Sequence, residues 1–355
     1  MVLTTQHLPA AADAAHLTEA LRRSGMLGED CVRDVVVESS RPTILSQIMR
    51  LRLIYDNDAA DAPRSVVLKT PHPDRVDTRW NAGRQEVAFY TDVAASLPRR
   101  TVPRCFEAHC DPRTRSWHLL LEDLTDTHSL ATMWPLPPTT EQCERIVAAW
   151  ARFHATWWDD PRLGSSIGTW RDAAASDRML RDLAAHFARF VDRLGDRLPR
   201  ERRMLFERLL DAAPRLLQRD HTHRNVTLIH GDAHVWNIFL PRDGGDDLRL
   251  FDWDGWRIGI AAYDLAYMMA LHWYRDRRHR LERALLDRYH ATLLAHGVRG
   301  YDRQSLDDDY RWAALWQMAT PVWQAAHDIP PVVWWNHMER IFLAVDDLGS
   351  RELLS

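Results

Sequence analysis

Short runs of alternating apolar and polar residues in the first third of the chain predict a small β-sheet. Residues 35–37 and 48–55 are rich in β-branched and alternating apolar side chains, and RSVVLKTPH (64–72) predicts a third strand that ends at its lysine. The turn-forming ESSRPT (38–43) predicts a loop between the first two strands, and 104–124 predicts two more strands around a turn. Helical spacing of apolar residues occurs at 16–27 and 83–97.

From residue 139 onward, apolar positions recur with the period of an α-helix almost to the end of the chain. Thr139 and Gln142 have the spacing of a capping box, and the Pro-rich TMWPLPP (132–138) precedes them as a connector. The polar segment 221–257 contains the apolar runs NIFL and LRLFD, joined by PRDGGDD, which predicts a hairpin. Helices are predicted within 140–158, 170–220, 262–297 and 305–350.

Together these elements predict an α+β protein whose first part is a sheet with a helix and whose second part is mainly helical. A chain of 355 residues is long enough for two lobes that share an interface. A cleft between such lobes is the expected place for a binding site.

Composition and charge narrow the expected partners. The net charge of −4 offers no concentrated basic face for nucleic acid, so small-molecule partners are expected. The first residues lack the pattern of a secretory signal, and the apolar run IGIAAYDLAYMMALHW carries Asp264 and is short for a membrane span. Four cysteines without a CxxC pair do not predict a disulfide framework or a structural zinc site. We therefore expect a cytoplasmic protein without a membrane partner, as a monomer or homodimer.

The basic residues are almost all arginine, with a single lysine as the exception. Of 46 lysines and arginines, 45 are arginine and Lys69 is the only lysine. Arginine would serve at an exposed position, but a compact ammonium beside phosphate oxygens is not readily replaced by a planar guanidinium. Chance survival of one lysine is the alternative explanation.

The segment LIHGDAHVWNIFL (228–240) and the later LRLFDWDGW (248–256) carry groups suited to phosphoryl transfer. That reaction needs a carboxylate for the nucleophilic hydroxyl, Mg²⁺ ligands, a cation on the nucleotide phosphates and a partner for that cation. Asp232 suits the first role, and Asn237 and Asp252 supply oxygen ligands for Mg²⁺. Lys69 and Glu86 would form the ion pair.

The chain resembles the aminoglycoside phosphotransferase and choline kinase-like superfamily, which has a protein kinase-like fold. The resemblance is carried, in chain order, by Lys69, Glu86, LLLEDL, AWARFHATWW, HGDAHVWN, DWD and AYDLAYMM. Within it, RPTILSQIMRLRLIYD and VVLKTP are most similar to the ecdysteroid kinase-like (CHK kinase-like) branch. The similarity extends from about residue 15 to about residue 300, and the HGDxHxxN and DWD motifs are its most specific part.

The resemblance implies an antiparallel N-lobe with a helix (1–121), a hinge and connector (122–138) and a helical C-lobe (139–355) with the catalytic loop, metal site and acceptor pocket. It implies an ATP- and Mg²⁺-dependent small-molecule kinase, with GTP as the other candidate donor. The implied roles are catalysis by Asp232, Mg²⁺ binding by Asn237 and Asp252, phosphate binding by Lys69 backed by Glu86, and adenine binding at the LEDL hinge that includes Glu122 and Leu124.

The segment expected to cover the phosphates departs from the family pattern. ESSRPT contains no glycine, and Pro42 lacks an N–H that could bind phosphate. Hydroxyl groups would have to substitute for backbone amides. The candidates are Ser39, Ser40, Thr43 and Ser46.

Four further residues near the motifs have expected supporting roles. His230 and His234 are expected to orient the catalytic loop, and Asp264 to cap a helix N-terminus and anchor that loop. Asp254 is either a second metal neighbour or a solvent-facing carboxylate.

Two other classes of function compete with the kinase interpretation. A metal-dependent hydrolase would bind zinc through the histidine-rich HTHRNVTLIHGDAH (221–234), but it leaves Lys69, Glu86, Asn237 and Asp252 without roles. A catalytically weak, kinase-like nucleotide-binding protein would retain the fold and lose turnover.

The acceptor is expected to bind to C-lobe side chains beyond Asp252. Aromatic faces beside the acidic LDDDY (306–310) suit a cationic or sugar-bearing alcohol, such as an aminoglycoside, a nucleoside antibiotic, a choline-like amine or a steroid-like alcohol. Trp312 and Trp316 share one helix face, although each tryptophan could instead pack helices together. The candidate residues are His272, Trp273, Trp312, Trp316, Trp323, Trp334 and Trp335.

Overall fold

A computed structural model describes residues 8–43, 46–57, 61–72 and 83–355. It divides the chain into two compact units. The first contains the described part of Met1–Ser129 together with Phe239–Gly255, and the second contains Leu130–Ile238 and Trp256–Ser355.

The first unit is built on a five-stranded antiparallel sheet with the order β1-β2-β3-β5-β4. Its alternating apolar positions face the helix α1, which begins after the side-chain cap Asp13. Leu17 and Leu21 of α1 pack with Leu51, Val66 and other apolar residues of the sheet in one buried cluster. The elements are α1 (Ala14–Arg23), β1 (Val32–Pro42), β2 (Ser46–Tyr55), β3 (Ser65–Pro71), α2 (Arg84–Ala88, continuing as helical turns to Ser96), β4 (Cys105–Asp111) and β5 (Ser116–Glu122).

The loop predicted at ESSRPT is wrong over most of its length. Strand β1 continues through Pro42, which pairs with Gln47 of β2. The pairing of β1 with β2 shifts register between Val37 and Ser39, which is the mark of a β-bulge with one additional residue in β1. β1 is an edge strand, where a proline that lacks a donor is tolerated. The connection shrinks to residues 43–45, of which 44 and 45 lie outside the described residues.

The predicted hairpin after Asn237 is present. Its strands join a three-stranded sheet with the order β6-β8-β9, and Leu250 N–H donates to the carbonyl of Thr101 at 2.9 Å. These contacts group Phe239–Gly255 with the first unit, whereas the predicted division placed it in the C-lobe. The remaining strands are β6 (His128–Leu130), β7 (Thr227–Ile229), β8 (Ile238–Pro241), β9 (Arg249–Leu250) and β10 (Arg257–Gly259), of which β7 and β10 pair antiparallel.

The second unit is mainly helical. The predicted capping box is confirmed, because Thr139 Oγ1 accepts from Gln142 N–H at 3.2 Å and Gln142 Oε1 accepts from Thr139 N–H at 2.8 Å. Among the described residues, none of the helices combines the length and apolar character needed to cross a membrane. The helices are α3 (Thr140–Thr156), α4 (Ala173–Leu194), α5 (Arg200–Leu216), α6 (Ala262–Ala266), α7 (Arg275–Ala295), α8 (Arg303–Gln317), α9 (Ala319–Ala326) and α10 (Pro331–Asp347).

Candidate active site

The single lysine of the chain is the centre of a buried charge cluster in the first unit. Val66 and Leu68 of β3 enter the sheet core, so Lys69 points to the opposite face of the strand. Its Nζ lies 2.6 Å from Glu86 Oε2 and 2.5 Å from Asp252 Oδ1. Burial lowers the pKa of Lys69, but the charges of Asp252 and Glu86 outweigh that effect and raise it. The ammonium therefore stays charged between two carboxylates.

Glu86 is the most buried member of this cluster, with 1% of its surface exposed. It lies in the first turn of α2, and its Oε1 accepts from the backbone N–H of Trp253 at 3.3 Å. Burial raises the pKa of Glu86, while the Lys69 charge and the Trp253 N–H oppose that rise. Glu86 thus connects Lys69 to the segment that carries Asp252.

Asp252 is held in an unusual backbone conformation. Its φ is 68°, in the left-handed region that non-glycine residues rarely adopt. The neighbouring rings are fixed by stacking: Phe251 on Phe239 with centroids 4.1 Å apart, and Trp253 on Phe89 with centroids 4.0 Å apart. Such conformations persist where surrounding packing enforces them and occur often at functional sites. Its side chain is 38% exposed, which leaves carboxylate oxygen accessible.

In the second unit, Asp232 lies in the loop between β7 and β8 and is positioned by two neighbours. Its backbone N–H donates to His230 Nδ1 at 3.2 Å. Asn237 Nδ2 donates to the Asp232 carbonyl at 3.0 Å and to Oδ2 at 3.3 Å. Asn237 Oδ1 accepts no hydrogen bond from any described residue, and His234 Nε2 lies 3.5 Å from Asp232 Oδ2. The loop therefore presents a carboxylate and an amide oxygen.

A buried triad beneath this loop anchors it. Asp264 Oδ2 accepts from His230 N–H at 2.7 Å, and Oδ1 accepts from Gly231 N–H at 2.9 Å. His154 Nε2 lies 3.2 Å from Oδ2, and its Nδ1 lies 2.7 Å from Tyr289 Oη. Burial would raise the pKa of Asp264, but the hydrogen bond and charge of His154 and the contacts of His230 outweigh burial and lower it.

The predicted helix cap at Asp264 is wrong. Asp264 lies inside α6, and Ala261 is the residue that precedes the helix. Its carboxylate accepts from N–H groups of the loop between β7 and β8, which is the anchoring role that the sequence predicted for it. The sequence-based interpretation also missed the role of His154, a fully buried histidine within the apolar positions of α3. The available signals were its place in an apolar run and its position within AWARFHATWW, one of the segments that carry the family resemblance.

Replacing Asp264 with asparagine is expected to destabilise the protein by about 3–5 kcal/mol, because a buried, multiply hydrogen-bonded carboxylate loses its charge beside His154. The asparagine NH₂ would also face a backbone donor. Urea unfolding measures the change. Asp172→Asn is the control, since Asp172 caps α4 and asparagine caps equally well. Equal stability of the two variants would contradict the anchoring role.

Ser40 and Ser46, which were predicted to bind nucleotide, differ in whether their hydroxyl groups remain available to a ligand. Ser40 Oγ accepts from Gln47 Nε2 at 2.6 Å, and the Ser46 hydroxyl lies 2.9 Å from Thr43 Oγ1. Ser46 is buried. Ser40 therefore retains a hydroxyl proton to donate, while Ser46 closes the β1-β2 turn.

The hinge residues also differ. Glu122 N–H donates to the Arg104 carbonyl at 2.8 Å, and Glu122 Oε2 accepts from Arg249 at 2.9 Å, so both groups are occupied. Leu124 N–H donates to no described residue, although its carbonyl accepts from His128 N–H at 2.8 Å. Of Glu122 and Leu124, Leu124 is thus the one whose backbone N–H has no acceptor among the described residues.

Most of the acidic and aromatic side chains predicted to bind the acceptor are buried or contact other residues of the protein. Asp309 pairs with Arg219 at 2.8 Å, Asp308 with Gln304 at 3.0 Å, and Asp307 with Arg303. Trp312 and Trp316 do share a face, with ring centroids 6.0 Å apart, but both are buried. Trp312 Nε1 donates to the Leu216 carbonyl at 2.9 Å. The remaining tryptophans are the buried Trp273 and Trp334, the partly buried Trp335 and the exposed Trp323.

His272, by contrast, belongs to a group of polar side chains that extends to His234 in the loop between β7 and β8. Its ring lies 5.8 Å from that of His234 and 4.4 Å from that of His337. Burial lowers the pKa of His337 to about 3, with Arg340 contributing, and lowers that of His272 well below its usual value. Both rings are therefore neutral near pH 7.

The histidine-rich segment 221–234 does not form a metal site in the structure. His223 stacks on Trp170 with centroids 3.8 Å apart, and His230 is bound within the loop. Among the described residues, which include this whole segment, the one group of histidine and acidic side chains close enough to share a metal ion lies elsewhere. The hydrolase interpretation therefore loses its ligand set.

Comparison with known proteins decides the family. Residues 56–326 match the family model described as the phosphotransferase enzyme family (APH). The chain belongs to the phosphotransferase enzyme family. No curated protein sequence matches it significantly.

Solved structures show that this phosphotransferase has the kinase-like fold. A Ralstonia eutropha JMP134 protein with the provisional description of aminoglycoside phosphotransferase superposes with a TM-score of 0.59 at 12% identity, covering 95% of this chain and 97% of its own. Choline kinase from Cryptosporidium parvum Iowa II gives 0.57 at 10% identity, covering 96% and 95%. The predicted α+β kinase-like fold and small-molecule kinase class are confirmed.

Proposed function

We propose that this phosphotransferase moves the γ-phosphate of ATP to a hydroxyl group of a small molecule, with Asp232 accepting the hydroxyl proton. The Lys69 contacts carry the proposal: one buried ammonium is held between Glu86 and Asp252. A cation fixed in this way suits the binding of nucleotide phosphates. The Asp232 loop supplies the second half of the chemistry.

In the proposed reaction, the acceptor oxygen forms a bond to the γ-phosphorus while the bond from that phosphorus to the bridging oxygen of ADP breaks. The hydroxyl proton passes to Asp232 Oδ1 or Oδ2. Asn237 keeps that carboxylate oriented through its Nδ2 contacts at 3.0 and 3.3 Å. Positioning and electrostatic stabilisation are the main contributions that a protein makes to this reaction.

The donor set fits Mg²⁺, which prefers oxygen ligands. Asp252 offers a partly exposed carboxylate, and Asn237 offers an amide oxygen that accepts no hydrogen bond from a described residue. When bound, the ion neutralises charge on the phosphate oxygens. The Asp252 carboxylate, which also contacts Lys69 through Oδ1, is the group of the first unit that we assign to the ion.

For the nucleotide, we assign the free Leu124 N–H to the adenine base and the Ser40 hydroxyl to a phosphate oxygen. ATP is the proposed donor. GTP is the alternative to test in the same assay, since the solved structure of an aminoglycoside phosphotransferase with a TM-score of 0.51 is a complex with GDP and kanamycin.

For the acceptor, we propose recognition through oxygen atoms by His234, Trp236, His272, His337 and Arg340. Three buried nitrogens in this group have no hydrogen-bond partner among the described residues: His234 Nδ1, Trp236 Nε1 and Arg340 Nε. Unpaired buried polar groups are costly and favour a bound partner. Arg340 also has no carboxylate partner within the described residues. This chemistry suits a sugar-like or hydroxy-acid alcohol better than the cationic acceptor that the acidic LDDDY had suggested.

The test is a panel of acceptors incubated with Mg²⁺ and either ATP or GTP, with products analysed by mass spectrometry for one added phosphoryl group. Sugar alcohols, nucleosides and hydroxy acids are compared with choline, ethanolamine and aminoglycosides. Phosphorylation of any acceptor supports the kinase. ADP or GDP binding without turnover, in folded protein, would favour the weak nucleotide-binding alternative.

Arg340→Gln is expected to raise the KM of an oxygen-rich acceptor about 10–100-fold, because a hydrogen bond to a charged group contributes about 1.5–3 kcal/mol. The kcat should change much less, since Arg340 contacts no proposed reacting atom. Arg275→Gln is the matched control, because Arg275 forms a surface ion pair with Asp347. A panel in which only cationic alcohols react, with KM unaffected in Arg340→Gln, would refute this acceptor chemistry and leave the kinase intact.

A further inference from the structure

A second cluster of ionisable side chains lies in the first unit, among elements that the proposed kinase chemistry does not use. His16 of α1, Glu107 of β4 and His118 of β5 meet at the surface where α1 packs on the sheet. His16 Nε2 lies 2.5 Å from Glu107 Oε2, and His118 Nε2 lies 2.8 Å from the same oxygen. The three potential ligand atoms all lie within 4.8 Å of one another.

We propose that His16, Glu107 and His118 form a binding site for a transition-metal dication such as Zn²⁺. Two imidazole nitrogens and one carboxylate oxygen are a typical three-ligand set for Zn²⁺, with water as the fourth ligand. Nitrogen donors favour such an ion over Mg²⁺, which prefers an all-oxygen environment. The site is therefore chemically separate from the proposed Mg²⁺ ligands.

The ligand atoms must move by on the order of 1 Å to accept the ion. Zinc bonds to nitrogen and oxygen are about 2.0–2.2 Å long, so tetrahedral ligand atoms lie roughly 3.3–3.5 Å apart. The shortest present separation is 2.5 Å, between His16 Nε2 and Glu107 Oε2. A shift of about 1 Å or less opens that pair, and the His16 side chain is 32% exposed.

The surroundings already orient the carboxylate. Arg23 Nη2 donates to Glu107 Oε1, the oxygen that contacts neither histidine. A partner on the second oxygen fixes the orientation of a ligating carboxylate. The His118 ring also stacks on that of His109, with centroids 5.2 Å apart. Because the ligands come from a helix and two strands, the bound ion would attach α1 to the sheet.

The test is titration of chelator-treated full-length protein with Zn²⁺ and with Co²⁺, in excess Mg²⁺, by calorimetry and by the visible absorption of bound Co²⁺. One ion per chain is expected, with a four-coordinate Co²⁺ spectrum and a rise in the thermal unfolding midpoint. Glu107→Gln and His118→Gln should each weaken binding roughly 100-fold or more, since even indirect supports of metal sites change affinity by 10–100-fold.

The control is His296→Gln, which removes an exposed imidazole of the second unit that contacts no member of the ligand set and should leave affinity within about threefold. His16→Gln provides a third ligand variant at a partly exposed helix position, should the two sheet variants fail to fold. Binding below one ion per chain, or binding that persists in the ligand variants, would overturn the proposal. If binding were lost only in His221→Gln or His223→Gln, the ion would be assigned to the histidine-rich segment 221–234, and the proposal would also be overturned. Kinase activity is not used as a readout, so this result is independent of the proposed function.

Discussion

Asp232→Asn is expected to lower kcat for phosphoryl transfer by about 10²–10⁴-fold, the usual contribution of a positioned acid–base group. Asparagine preserves the shape of the side chain and the contact with Asn237, so folding and nucleotide affinity should change little. Acceptor-dependent ADP release measures kcat, and calorimetry with ATP and Mg²⁺ measures nucleotide binding.

Asp308→Asn is the control for that experiment. Asp308 is an exposed aspartate of the LDDDY segment whose carboxylate contacts Gln304. We expect its kcat to match that of the wild type. Full activity of Asp232→Asn would remove Asp232 from the mechanism and with it the central assignment of the proposed function.

Lys69→Met is expected to destabilise the first unit by about 3–5 kcal/mol and to abolish measurable turnover. Removing the ammonium leaves Glu86 buried without its counter-charge, and breaking a buried ion pair from one side carries a cost of this size. It also removes the cation assigned to the phosphates. Urea unfolding and ATP-dependent product formation measure the two effects separately.

The matched variant is Lys69→Arg, which keeps the charge and changes the shape. A guanidinium is larger and planar, so it should recover much of the lost stability while KM for ATP rises. A Lys69→Arg protein with wild-type ATP kinetics would mean that the unique lysine has no special relation to phosphate and survived by chance.

Much of the secondary structure followed from local patterns. The capping box at Thr139 and Gln142 was predictable because its hydrogen bonds join residues three positions apart. The spacing of apolar residues likewise predicted the strand that carries Lys69 and the helix that carries Glu86. Where the pattern failed, at ESSRPT, turn-forming residues were overridden by pairing with β2, because β-pairing depends on the partner strand.

The sequence likewise predicted some parts of the candidate site and missed others. The motif residues Asp232, Asn237 and Asp252 could be named from sequence because they lie within short characteristic segments. Their supports could be named only in part, because His154 was missed and the way in which Asp264 anchors the loop was predicted wrongly. Asp264 was expected to cap its own helix, and the structure instead directs its carboxylate to N–H groups 33 and 34 residues earlier in the chain. The acceptor surface expected near LDDDY was lost because Arg219 and Arg303 pair with its carboxylates.

The sequence by itself therefore determined the fold class, the family motifs and the chemical types available, because these depend on residues close together in the chain. Tertiary structure alone decided which distant groups share a charge or a proton. Lys69 meets Asp252 across 183 positions, His154 meets Asp264 across 110, and His16 meets Glu107 across 91. No local pattern encodes such pairs, since they arise only when packing of apolar faces brings separate elements together.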